Sequence, residues 1–116
     1  MCSLCNTVET ILHLLYECKH AQRIWNIVKN ATNIEISKRT IFFGNNCSVE
    51  NNIVSQISYF IYKEWIIRKH ENKERKWEST VPFLTKELNY NIMIHNLVQN
   101  NVIKETLQRI KLEMNK

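Results

Sequence analysis

Ile57-Ser58-Tyr59-Phe60-Ile61-Tyr62-Lys63-Glu64-Trp65-Ile66-Ile67 reads as helix. It holds neither glycine nor proline, and its apolar side chains fall on nearly every side of a helix drawn through it. That pattern marks an element at the centre of a helical domain. Working outward, Ile53 joins the apolar positions upstream, and Ser48 is a suitable N-cap for a helix from Val49 to roughly Trp77. At ~1.5 Å per residue such an element is roughly 40 Å long. Beyond Ile67 the character turns to charge, from Arg68 to Lys76.

The composition agrees with a helical fold. The chain has 116 residues, 44% apolar and 23% charged, enough for one folded domain with a modest core. A single glycine, Gly44, and a single proline, Pro82, leave little turn chemistry for a many-stranded sheet. Pro82 is expected to open a further helix, with Ser79 and Thr80 as possible caps and Phe83, Leu84, Leu88 and Ile92 as its stripe. Asn100-Asn101 suggests a break, after which Ile103, Leu107, Ile110 and Met114 resume helical spacing. Between the two halves, 32–48 is expected to be a connecting loop whose Phe42-Phe43 pair plugs the core; a hairpin is the alternative, because Thr40-Ile41-Phe42-Phe43 is β-prone. The expected fold is therefore all-α, one domain over 1–116, with first helices in 1–31 and long helices in 49–116.

Site chemistry concentrates at the N-terminus. Cys2, Cys5, His13 and Cys18 lie within 17 positions and supply three thiolates and an imidazole, a complete tetrahedral set for one zinc ion. Four protein ligands close the shell, so such a zinc is structural rather than catalytic. A disulfide or unliganded thiols are the alternatives, and His20 is a rival to His13. Thr10 is a suitable cap for a short helix carrying His13, and Cys18, five residues on, falls beyond one helical turn and off the His13 face. A second helix is expected from Ala21, burying Ile24, Trp25, Ile27 and Val28. The fold expected is thus a CCHC zinc loop packed on a small helical bundle.

The net charge is +5, most of it in residues 59–116, where eleven Lys/Arg face seven Glu. Lys63, Arg68, Lys69, Lys73, Arg75 and Lys76 form a candidate phosphate-contacting face for RNA or DNA. A solvated helix laced by its own Glu71 and Glu74 is the plainer alternative. Trp25, Trp65, Tyr59 and Tyr62 are expected in the core and Trp77 at the surface, as are His70 and His95; Cys47 is expected to be a buried side chain or a loop thiol. No P-loop, G-x-S-x-G, carboxylate dyad or H-E-x-x-H is present, so no enzyme and no small-molecule substrate are expected. No 18-residue apolar run and no basic-then-apolar leader are present, which predicts an intracellular protein of cytoplasm or nucleus, neither membrane-spanning nor secreted. Abundant Asn, Ile and Lys point to an AT-rich coding sequence.

Cys2-x-x-Cys5, Glu9-Thr10, His13-Leu14-Leu15, Cys18 and, seven residues on, Trp25 resemble the zinc-binding C-terminal region of reverse transcriptases from non-LTR (LINE-like) retrotransposons. Phe42-Phe43-Gly44, Ile61-Tyr62-Lys63 and Phe83-Leu84-Thr85-Lys86-Glu87-Leu88 are more loosely similar to such tails. The resemblance implies a non-catalytic accessory domain that follows a polymerase core and helps engage template RNA or target DNA, with Cys2, Cys5, His13 and Cys18 as zinc ligands. The polymerase aspartates of that family have no counterpart here, and Met1 just before the first ligand suggests a truncated or remnant reading frame. A helical protein–protein interaction module and a decayed fragment without nucleic-acid binding are the competing expectations.

Overall fold

The computed structural model describes residues 10–71 and 76–116, without the side chains of 68–71. Every regular element among the described residues is helical: a π-helical turn at His13–Glu17, then α1 (Lys19–Thr32), α2 (Lys38–Phe43), α3 (Ser48–Glu71), α4 (Trp77–Leu97) and α5 (Asn101–Met114).

The hub is α5 rather than α3. Its Ile103, Thr106, Leu107, Ile110 and Met114 are all buried, at the spacing that puts them on one stripe. That stripe packs against α4, α1 and, less extensively, α3. From α1 it meets a core face made of Ala21, Ile24, Trp25 and Val28, and α4 contributes Leu84 and Leu88. The expected α1 and α5 stripes are thus found, with Ile27 only partly buried. Asn100 ends the turn after α4 and caps α5, its side-chain oxygen accepting from the Ile103 N–H at 3.3 Å.

The central role expected of α3 needs correction. Ile53, Val54, Ile57, Phe60 and Ile61 are buried, but Tyr59, Tyr62 and Ile67 are exposed. The tyrosines made the segment look apolar all round, yet a phenol ring is amphipathic and is stable with its hydroxyl in water. Nor does this helix reach Trp77. Lys76 has an extended backbone and caps α4, which starts at Trp77. Pro82 therefore lies inside α4 instead of opening it. Its missing N–H leaves the Glu78 carbonyl without its helical donor, but both residues are exposed, so water can serve that carbonyl.

The connecting loop expected over 32–48 contains α2. Ser37 and Thr40 form a reciprocal capping box: the Thr40 N–H donates to Ser37 Oγ at 3.2 Å, and the Ser37 N–H donates to Thr40 Oγ1 at 2.8 Å. Two satisfied backbone donors outweigh the β-preference of Thr40-Ile41-Phe42-Phe43. Phe42 and Phe43 do not plug the core; Phe43 is 86% exposed, and Ile34, Ile36 and Thr40 are buried in their place.

Gly44 then turns the chain into α3. Its φ of +75° and ψ of −172° lie where only glycine is unstrained. Asn45 and Asn51 clasp the turn, with the Asn45 N–H donating to Asn51 Oδ1 at 2.8 Å and Asn51 Nδ2 donating back to the Asn45 carbonyl at 2.9 Å. A Cβ on residue 44 would stand 2.8 Å from Asn51 Oδ1. Gly44→Ala is therefore expected to destabilise the fold by about 1–3 kcal/mol, from backbone strain and the displaced clasp, measurable as a lowered urea midpoint at unchanged slope.

Candidate metal centre

Thr10 starts the segment as expected. Its Oγ1 accepts from the His13 N–H at 3.0 Å and its carbonyl from the Leu14 N–H at 2.8 Å. The turn that follows is wider than an α-helix. The Cys18 N–H donates to the His13 carbonyl at 2.7 Å, closing a π-type i→i+5 bond. Cys18 stands where the turn ends and α1 begins, as its five-residue spacing from His13 suggests. Both are withdrawn from water, His13 at 7% exposed and Cys18 at 0%.

The turn ends at Glu17, and its last carbonyls have no donor within it. Here side chains from α1 take them up. Trp25 is fully buried and donates its Nε1–H to the Leu15 carbonyl at 2.8 Å, while Gln22 Nε2 donates to the Tyr16 carbonyl. Trp25 is thus both a core residue and the clamp on the turn, a role that its apolar periodicity does not reveal. Cys18 also stands at the start of α1, accepting from the Gln22 N–H at 2.9 Å, where the positive end of the helix dipole favours an anionic sulfur.

A cysteine sulfur and an imidazole, both shielded from water at the two ends of one turn, are residue types that suit zinc. Cys2 and Cys5 lie outside the described residues, and no group of three or more possible metal ligands occurs among the described ones. His20, the rival ligand, sits edge-on to Trp77 with ring centroids 5.8 Å apart. Trp77 is half-buried rather than exposed, with the Arg23 guanidinium 4.0 Å from its ring centroid. Cys47 is an exposed thiol just before α3. The His70 side chain lies outside the described set.

Of the candidate phosphate-contacting face, the side chains of Arg68, Lys69, Lys73 and Arg75 also lie outside the described set. Lys76 is exposed. Lys63 donates to Glu87 on α4 at 2.9 Å. That hydrogen bond, opposed by a smaller effect of burial, raises the Lys63 ammonium above its ordinary value. A raised folded-state value means that the contribution is complete below about pH 10.5 and is lost as the pH climbs through the folded value.

Two outcomes follow from this geometry. Trp25→Phe keeps most of the buried ring but orphans the Leu15 carbonyl, so it should cost about 1–3 kcal/mol in chemical denaturation. Lys63→Met should cost at most about 1 kcal/mol at neutral pH, as the pair is partly exposed, and its difference from wild type should shrink in alkaline melts.

Compared with family models, curated proteins and solved structures, the chain matches none.

Proposed function

We propose that this chain is a non-catalytic zinc-binding accessory domain of the retrotransposon reverse-transcriptase type, which assists RNA or DNA binding. The observation that carries the metal half is the burial of His13 and Cys18 at the two ends of a π-turn that Trp25 clamps. With Cys2 and Cys5 it would complete one structural Zn2+ site. The ion would supply folding energy, tying the N-terminal residues to the start of α1. The nucleic-acid half rests on the resemblance and on the excess of basic residues in the second half of the chain. Those contacts would be to the phosphate backbone, without sequence preference, with a polymerase core as a possible neighbour.

Metal analysis of protein purified under reducing conditions should find one zinc per chain. Cys5→Ser, His13→Ala and Cys18→Ser should each lose it, with loss of helicity confined to the N-terminal third. A wild type free of zinc under those conditions would overturn the metal assignment. Strand binding should weaken linearly in log–log salt titrations, with a slope set by the number of phosphates contacted.

A second reading, a helical protein–protein interaction module, is favoured by one feature. Leu97, Val98 and Val102 are exposed together around the turn from α4 to α5. Absence of strand binding even at low salt would select it over the first.

A further inference from the structure

The faces of α3 and α4 that look toward each other are polar, and they enclose an open groove of about 1060 Å3. Two rungs join the helices across it. At one end Lys63 donates to Glu87; at the other Gln56 Nε2 lies 3.2 Å from His95 Nε2. The rungs are seven residues apart along α3, roughly 10 Å at ~1.5 Å per residue. Between them the groove is walled by Tyr59 from α3 and by Tyr90 and Asn91 from α4. Both tyrosines are 58% exposed, although each stands beside a helix that could have covered it.

The floor is short of hydrogen-bond partners. The Gln56 amide nitrogen donates to Asn52 Oδ1 and to His95 Nε2, which uses both of its protons. His95, expected at the surface, is instead half-buried, and since its Nε2 accepts, its Nδ1 carries the ring proton. Gln56 Oε1 and His95 Nδ1 are both buried without a partner, leaving one acceptor and one donor unused. Buried polar atoms in that state cost about 1–3 kcal/mol each unless something fills the site. At the mouth, the Lys63 charge is balanced by Glu87. Lys86 has no ion-pair partner among the described residues and remains as a cation.

We propose that this groove takes an unpaired base of a single-stranded nucleic acid. The base stacks on Tyr59 or Tyr90 with its edge toward the Gln56–His95 rung, and its phosphate meets Lys86. A flat ring with polar edges matches the exposed phenol faces and the polar rung, and stacking on aromatic side chains is how single strands are held. A duplex hides those base edges and cannot enter. The inference rests on the nucleic-acid half of the proposed function and is independent of zinc.

The test is fluorescence anisotropy on the full chain, with labelled single-stranded and duplex oligonucleotides of RNA and DNA. AMP is titrated in parallel against 15N-labelled protein. Single strands should bind more tightly than duplexes. Tyr59→Ala and Tyr90→Ala should each weaken single-strand binding by roughly tenfold, while Tyr59→Phe and Tyr90→Phe stay within about twofold of wild type. Both tyrosines are exposed, so the alanine variants should melt as wild type does. AMP should shift the resonances of Gln56, Tyr59, Tyr90 and His95. Wild-type strand binding left unchanged by both alanine variants, or AMP shifts absent from the groove, would overturn the assignment while leaving backbone binding intact. No strand binding even at low salt would overturn both.

Discussion

A helical turn that stops must find donors for its last carbonyls, and in this chain that requirement joins the core to the candidate metal site. The Trp25 indole sits wholly inside the core, yet its one N–H goes to the Leu15 carbonyl. Ring and turn are thereby held in register. Because α1 packs on α5, and α5 gathers α4 and α3, the geometry at His13 and Cys18 is set by side chains far away in sequence. Loosening the α5 stripe of Ile103, Leu107 and Ile110 would therefore be felt at the N-terminal turn as well as in the core.

How much of this was legible in the residues depends on whether local and tertiary signals agreed. The α1 and α5 stripes, the break at Asn100 and the Thr10 cap were readable because hydrophobic period and capping chemistry pointed the same way. The all-helical class followed from the scarcity of glycine and proline. By contrast, α2 was hidden because Thr40-Ile41-Phe42-Phe43 has the composition of a strand, while its helix is decided by two backbone hydrogen bonds to Ser37 and Thr40. Pro82 misled for a related reason. Proline is common at helix starts, but it is also tolerated on a solvent-facing side, where the freed carbonyl meets water.

For the candidate site, the residue pattern offers a ligand set but no geometry. Spacing names His13 and Cys18 as zinc donors, and nothing in the pattern announces the π-turn between them. Likewise, Tyr59, Gln56 and His95 carried no motif. They acquire meaning only when α4 is laid beside α3 and the polar rungs appear. A helix can thus serve the core with one face and keep the other for chemistry, and apolar counting along the chain blurs the two.

The chain also manages its turns almost without glycine. Asn33 ends α1 in the left-handed conformation, Asn45 and Asn51 clasp the approach to α3, and Asn100 caps α5. Asparagine is among the few side chains that enter left-handed backbone, where an ordinary L-residue loses roughly 1–2 kcal/mol. Its amide also returns hydrogen bonds that glycine cannot make. A chain with one glycine can therefore keep its helix boundaries by placing asparagine at them.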